Sequence, residues 1–244
     1  MKLLKFSTTA IIAISIFLTS CEDFGFCIHG EGDIVTESID ISDFSSIDLI
    51  GADDVYITYG DSLSVTATGH QNIIDRLKRN VHGNTWNICL ETGCHVDYEL
   101  TVYITMPDIE TISILGSGDV YVDDFINGGD LELSIGGSGD IELNRFENCP
   151  KIDASITGSG DIKLQDAVPA LEVLDIGIIG SGKFYGYPAE TLEAFIDIVG
   201  SGSCYVSTSD LLDVHISGSG DVYYKGFPSV ILKVTGSGSV IERN

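Results

Sequence analysis

The stretch that decides the fold is LELSIGGSGDIEL, residues 131–143, in which two runs of alternating apolar and polar residues flank a Gly-Ser-Gly motif. The motif recurs at intervals of 18 to 22 residues, and its copies begin at Gly116, Gly137, Gly158, Gly180, Gly200, Gly218 and Gly236. A fainter copy, Gly51-Ala52-Asp53-Asp54, lies upstream. Internal repeats of this length indicate structural units that stack on one another.

Each motif lies between two short predicted strands. The residue two places before the first glycine is apolar in every copy: Ile114, Ile135, Ile156, Ile178, Ile198, Ile216 and Val234. Alternation with a period of two predicts strands that bury one face. A unit of 18 to 22 residues has no room for a helix and cannot bury its apolar face alone, so the sequence predicts an all-β fold, a parallel β-solenoid of stacked rungs. A meander of hairpins is the alternative, but it would place identical turns on opposite edges.

The predicted solenoid domain covers residues 33–244, with an irregular portion at 33–110 and regular repeats at 111–244. Within the irregular portion, the segment NIIDRLKRN, residues 72–80, predicts a short helix because its apolar residues recur at helical spacing. The polar tail Glu242-Arg243-Asn244 is expected to blunt the last strand edge, since an uncovered edge invites pairing with other chains.

The chain is strongly acidic, with 12 Lys and Arg residues against 37 Asp and Glu and a net charge of −25. This charge excludes a nucleic-acid-binding protein, because a phosphate backbone needs clustered Lys and Arg. It also argues against electrostatic adhesion to anionic lipid. A hydrophobic content of 43% is enough to build a core, so the chain is not intrinsically disordered.

The N-terminal residues have the layout of a bacterial lipoprotein signal peptide. An apolar run at 10–18 follows two lysines and leads into Leu18-Thr19-Ser20-Cys21, which matches a lipobox. We expect residues 1–20 to be removed, Cys21 to be acylated, and residues 21–32 to form a tether. The alternative is an ordinary signal peptide with a chance cysteine. The predicted location is the bacterial cell envelope, with a lipid anchor in the outer membrane, and surface exposure stays open.

The glycine motifs, read with their following residues, are GSGDV, GSGDI, GSGDI, GSGKF, GSGSC, GSGDV and GSGSV. Tandem units of this kind behind an envelope-lipoprotein signal resemble the bacterial family described as "putative auto-transporter adhesin, head GIN domain", over roughly residues 33–244. The resemblance implies a right-handed β-helix-like fold in a cell-envelope protein. It supplies no catalytic residues.

An acidic column is the first candidate site. Asp119, Asp140 and Asp161 each follow a Gly-Ser-Gly motif, and stacked rungs would place them about 5 Å apart. Their mutual repulsion would be relieved by Ca²⁺, which prefers carboxylate oxygens, so calcium is the one candidate cofactor. The alternative is that aspartate favours this turn because its side chain accepts hydrogen bonds from the local backbone.

Outward-facing tyrosines form the second candidate site. They follow the buried residue after the motif, and in stacked rungs they would lie on one solvent face as a binding surface: Tyr121, Tyr185, Tyr205 and Tyr223, with Tyr56 upstream. Tyrosine combines a rigid apolar ring with a polar tip. The alternative is ordinary strand propensity and packing.

Other chemistry is weakly represented. Cys89 and Cys94 flank a short turn and could form a disulfide, and Cys204 replaces Val or Ile in its repeat and is expected to be buried. The five histidines show no zinc-site spacing. Basic residues are too few and dispersed to place a tuned acid/base pair beside the carboxylates, so we predict no enzyme; a polysaccharide-active β-helix enzyme is the less favoured alternative.

These observations together predict a non-enzymatic envelope lipoprotein that acts as a surface binding or adhesion module. Its expected partners are the membrane, through the lipid anchor, and a surface glycan or protein. The rival hypothesis is a structural envelope or assembly component that associates through the ends of the solenoid.

Overall fold

A computed structural model describes residues 27–126 and 129–244 of the chain. It contains one helix, α1 (Gln71–Ile74), within these residues. The strands, in chain order, are β1 Ile28–His29, β2 Ile34–Ser38, β3 Ser46–Gly51, β4 Asp54–Tyr59, β5 Ser64–His70, β6 Val81–His82, β7 Thr85–Ile88, β8 His95–Val96, β9 Leu100–Met106, β10 Thr111–Gly116, β11 Val120–Val122, β12 Phe125–Ile126, β13 Leu131–Gly137, β14 Ile141–Leu143, β15 Phe146–Glu147, β16 Lys151–Gly158, β17 Asp161–Leu164, β18 Val173–Gly180, β19 Lys183–Gly200, β20 Ser203–Gly218, β21 Asp221–Lys225, β22 Ser229–Gly236 and β23 Ser239–Glu242.

The strands stack as a parallel β-solenoid, which confirms the predicted fold class. β13 pairs in parallel with β10 on one side and β16 on the other, so that Ile114, Ile135 and Ile156 are in register. The strands after each turn stack in the same way, with β14 between β11 and β17. Identical turns therefore lie above one another along one edge, as the sequence repeats require.

The core is a set of columns of aliphatic side chains that run along the solenoid axis. The residue two places before each motif is buried in successive rungs, with Ile114, Ile135 and Ile156 at most 1% exposed. Cys204, predicted to be a small buried residue, is also fully buried. Each buried isoleucine contributes about 1.5 to 3 kcal/mol of transfer free energy. A single rung could not bury these side chains, so this stabilisation depends on the rungs stacked on either side.

Stacking explains why the turns contain glycine. A Cβ added at Gly137 or Gly139 would overlap the carbonyl oxygen of the preceding turn, at Gly116 and Gly118 respectively. The same geometry recurs in the later turns. In the first turn, Asp53 takes the position that glycine holds elsewhere, because no glycine turn is stacked beneath it. The imperfect first copy of the motif is thus a consequence of its place in the stack.

The N-terminal end of the solenoid is closed by antiparallel structure. β5 pairs antiparallel with both β2 and β9, and α1 contributes two buried isoleucines to the core. The helix predicted for residues 72–80 is wrong in extent, since α1 ends at Ile74. From Leu77 the chain is extended and forms a bridge with Leu90, because a pairing partner outweighs a helix too short to be stable alone.

The disulfide predicted between Cys89 and Cys94 is wrong. Cys94 is bonded to Cys27, and Cys89 is a free, half-buried thiol. The bond joins residues 67 positions apart, and β1 pairs beside it with β8. Residues 27–29, which were predicted to belong to the tether, are therefore attached to the solenoid domain.

The predicted signal peptide at 1–20, the lipidation site Cys21 and residues 21–26 of the tether lie outside the described residues. Among residues 27–126 and 129–244, no helix is long and apolar enough to span a membrane.

The C-terminal end is open. Asn244 exchanges hydrogen bonds with the backbone of Gly226, but β22 is exposed along its whole length. The polar tail therefore lies to one side and leaves β22 uncovered, contrary to the expected cap.

Candidate functional site

The outward tyrosines fall into one column because the strands that carry them are in register. Tyr103 of β9, Tyr56 of β4 and Tyr121 of β11 are aligned in adjacent strands. The same column continues through Glu142, Lys163, Tyr185, Tyr205 and Tyr223. The alternation that buries Val120 thus aims the next side chain at solvent.

The tyrosines form two ladders of stacked rings. We call Tyr103, Tyr56 and Tyr121 the first ladder; its ring centroids are 5.4 and 4.9 Å apart. The second ladder is Tyr185, Tyr205 and Tyr223, with centroids 5.0 and 4.9 Å apart and rings within 12° of parallel. Each ladder is a rigid, amphipathic strip, because ring stacking fixes side chains that would otherwise rotate.

The two ladders are separated by an ion-pair cluster. Lys163 Nζ donates hydrogen bonds of 2.8 Å to Asp140 Oδ2 and to Glu142 Oε1. Desolvation alone would lower the pKa of Lys163, but these two hydrogen bonds raise it above its ordinary value, so the lysine is charged. Tyr121 and Tyr185 are three rungs apart, about 14 Å. The predicted tyrosine face is therefore two platforms and not one.

The aspartate column forms a hydrogen-bond ladder along the turns. Asp119 Oδ1 accepts the Asp140 amide at 2.8 Å, and Asp140 Oδ1 accepts the Asp161 amide at 2.8 Å. Asp161 Oδ1 accepts the Lys183 amide at 2.8 Å. Each carboxylate thus satisfies a backbone N–H in the next rung, whereas the equivalent amides of Ser203 and Asp221 donate to the backbone carbonyls of Gly182 and Gly202. This turn chemistry is the alternative that the sequence left open.

The second oxygen of two of these aspartates is also occupied. Asp119 Oδ2 accepts the Tyr121 hydroxyl at 3.2 Å, and Asp140 Oδ2 accepts Lys163. Within residues 27–126 and 129–244, no group of three or more His, Cys, Asp or Glu side chains is arranged to hold a metal ion. The calcium hypothesis for Asp119, Asp140 and Asp161 therefore lacks the convergent free oxygens that it needs.

One tyrosine of each ladder donates its hydroxyl hydrogen bond to the aspartate two residues before it. Burial, with the charge and hydrogen bond of Asp119, raises the pKa of Tyr121 to about 12. Tyr223 donates to Asp221 at 3.3 Å in the same way. The hydroxyl ends of Tyr121 and Tyr223 are thus held by carboxylates of their own rungs.

The second ladder carries additional groups that the sequence did not single out. Tyr187 meets Tyr205 edge to face at 5.7 Å, and Lys225 Nζ lies 4.5 Å from the centre of the Tyr187 ring. Arg243 lies over the Tyr223 ring at 5.2 Å. Two cations therefore flank an aromatic surface in an otherwise acidic protein, which favours ligands with electron-rich or anionic groups.

Tyr103 was also missed, although a signal for it exists. The sequence DVYITY at 54–59 closely resembles TVYITM at 101–106, and the structure pairs these segments in register. The intervening 41 residues hide the relation, because they form β5, α1 and the strands around the disulfide. A comparison of short segments without regard to the glycine motif would have found it.

The first turn contains a buried carboxyl. Asp53 is 8% exposed and is hydrogen-bonded to the Tyr98 hydroxyl. Desolvation raises the pKa of Asp53 to about 6, although the Tyr98 hydrogen bond lowers it in part and the charge of Asp54 raises it. A cavity of about 640 Å³ opens beside the pair. Asp53 is therefore a buried, titrating group of the turn, held by the Tyr98 hydroxyl.

These features can be compared with known proteins. The family model described as "Putative auto-transporter adhesin, head GIN domain" matches residues 43–228. The chain belongs to this family. The head GIN domain thus includes both tyrosine ladders and most of the glycine turns, and the resemblance drawn from the glycine motifs is confirmed.

Several solved structures share the fold of this head GIN domain protein. A "putative adhesin" from Bacteroides fragilis is 21% identical with a TM-score of 0.81, and the match covers 88% of this chain and 100% of that one. A "putative adhesin" from Parabacteroides merdae is 21% identical with a TM-score of 0.69, covering 89% and 99%. A "putative lipid binding protein" from Parabacteroides distasonis is 22% identical with a TM-score of 0.64, covering 89% and 99%. No curated protein matches the chain.

Proposed function

We propose that this protein is a non-enzymatic binding module of the bacterial cell envelope, and that its two tyrosine ladders bind chains of surface glycan. The observation that carries the proposal is the pair of stacked, solvent-facing ring platforms about 14 Å apart. Flat amphipathic rings that are already ordered lose little entropy on binding, which suits them to recognition. Membership of an adhesin-like family supports the same role.

The spacing of the platforms favours an extended ligand. A glycan chain lying along the solenoid axis could stack a sugar ring on each ladder and pass the Lys163 cluster between them. The net charge of −25 disfavours polyanionic chains as partners and limits nonspecific contact with anionic surfaces. We therefore expect neutral or weakly charged glycans to bind best.

Glycan arrays probed with the full chain test this proposal. Replacing the central ring of each ladder, by Tyr56→Ser and Tyr205→Ser together, should weaken glycan binding about tenfold or more, since each ring contributes on the order of 1 kcal/mol. Replacing both by phenylalanine should retain most of the affinity. Ile179→Ser, at a side chain that is 57% exposed away from the ladders, controls for the loss of exposed apolar surface.

Three results separate the possibilities. Glycan binding that the double serine variant loses supports the proposal. Glycan binding that survives it shows that the ladders are packing only. If no glycan binds, but a protein captured on intact cells is lost with the double serine variant and kept with the phenylalanine variant, the ladder partner is a protein.

The proposed presentation of the module is by a lipid anchor at Cys21 in the outer membrane. Protease shaving and antibody labelling of intact cells would detect the domain if it faces outward. Protection until lysis would place it in the periplasm and would make adhesion untenable. A Cys21→Ser chain that still fractionates with membranes would contradict the anchor.

A further inference from the structure

The C-terminal end of the solenoid exposes side chains that form the core in every preceding rung. Val230, Leu232 and Val234 of β22 are 38%, 53% and 41% exposed. Their partners in the preceding rung, at the same inward positions of β20, are at most 2% exposed. Within residues 27–126 and 129–244, β22 pairs only with β20, so the backbone groups of its outer edge have no strand neighbour. Such an edge is a template for another strand.

A groove and an apolar projection lie at the same end. The groove, of about 630 Å³, has an apolar part formed by Leu171, Tyr187 and Leu192 and a polar part that includes Thr208 and Lys225. Phe227 stands at its rim with 87% of its surface exposed. One end of the molecule therefore carries a strand edge, a projecting ring and a groove whose apolar part could receive such a ring. A surface with these three parts can be complementary to a second copy of itself.

Charge also favours this end as a contact between copies. The last 20 residues, 225–244, hold three basic residues and one acidic residue, a net charge of +2, whereas the rest of the chain carries −27. Two copies of this acidic protein repel each other least when they approach through their C-terminal ends, where the charge is most positive. The same 20 residues include Glu242 as well as Lys225, Lys233 and Arg243, so both signs of charge are present in the segment that each copy would bring to a two-fold contact.

The opposite end of the solenoid is not a match for this one. There β5 and β2 lie antiparallel to the stack, and α1 covers the core. Cys27 and β1 also lie at that end. A head-to-tail contact would leave the groove and the edge without complementary surfaces.

We infer that the C-terminal end is a self-association surface, through which two copies join head to head about a two-fold axis. The exposed core positions of β22 pack on their equivalents in the second copy, and Phe227 of each copy enters the groove of the other. This arrangement closes both exposed edges, so it ends at a dimer. It uses none of the six ladder tyrosines, although its groove shares Tyr187 and Lys225 with the edge of the second ladder.

Sedimentation equilibrium of the full chain, in detergent matched to the solvent density, tests the inference between about 1 and 200 µM. We expect a monomer–dimer equilibrium whose Kd falls as salt is added, because salt screens the repulsion between the acidic bodies. Phe227→Ala and Leu232→Asp should each raise the Kd at least about tenfold. Ile179→Asp, at a side chain of similar exposure on the outer face, should leave it unchanged.

The outcomes are decisive in either direction. A monomer at every concentration, or growth into species larger than a dimer, overturns the inference. Dimers that persist in both variants place the contact elsewhere and also overturn it. Because Phe227 is almost fully exposed, the alanine variant folds even if Leu232→Asp does not, so the test stands on that variant alone. Array binding by the ladders is measured separately and can succeed or fail on its own.

Discussion

Replacing Asp53 by asparagine should stabilise the protein at alkaline pH and leave it nearly unchanged in acid. Desolvation raises the pKa of this carboxyl from 3.8 to about 6 in the folded state. The difference of about two units corresponds to about 3 kcal/mol, at 1.36 kcal/mol for each unit. The side chain is 8% exposed, so solvent screening removes little of this energy.

The sign follows from proton binding. Because the folded state holds the Asp53 proton more tightly than the unfolded state, the stability that this proton gives is complete below about pH 3.8 and is lost as the pH rises through 6. Asparagine is neutral at every pH, has the same shape, and can accept the Tyr98 hydrogen bond. Asp53→Asn should therefore gain up to about 3 kcal/mol near pH 8 and about zero near pH 3.5.

Urea unfolding at the two pH values, with the disulfide intact, measures this difference. Asp108→Asn is the matched control, because it removes one negative charge from an exposed position and reports the general effect of net charge. A gain of equal size at both pH values, or a gain no larger than that of the control, would refute the reasoning that burial of the Asp53 charge costs stability.

Three further predictions concern the stack itself. Gly139→Ala should lower the free energy of unfolding by on the order of 3 kcal/mol, measured with urea, because the new Cβ would overlap the preceding turn. Gly177→Ala is the control: there is open space around its Cβ, so the change should be neutral or slightly stabilising. Replacing Cys27 and Cys94 by serine should cost about 4 kcal/mol by loss of the constraint on a long loop, measured against the oxidised protein. Lys163→Met should lower the midpoint of urea unfolding at neutral pH, because it leaves the carboxylates of Asp140 and Glu142 without the cation that both of them contact.

The regular part of the molecule could be predicted well because its information is local. Each rung repeats the same alternation within 18 to 22 residues, so one turn such as Gly137-Ser138-Gly139 specifies its own strands and their buried faces. The register of the tyrosine column followed from the same repeats. The interruption at Glu142 and Lys163 was visible in sequence, but the ion pairs that make it a separate cluster required coordinates.

The irregular part could not be predicted, because its contacts join distant residues. Cys94 lies five residues from Cys89 but bonds to Cys27, which the fold brings beside it through the β1–β8 pairing. The helix over 72–80 failed for the same reason, since Leu77 found a strand partner at Leu90. Helical periodicity in a short segment cannot compete with a tertiary pairing that it does not encode.

The solenoid, its buried columns and its glycine turns are encoded in the amino-acid pattern, because stacking equal rungs buries the apolar face that every repeat presents. The three-dimensional arrangement was needed to establish which carboxylates are hydrogen-bonded, why Asp53 is buried, and that the last rung exposes its core. These properties depend on what lies above and below each rung, and a neighbour in the stack is about 20 residues away in the chain.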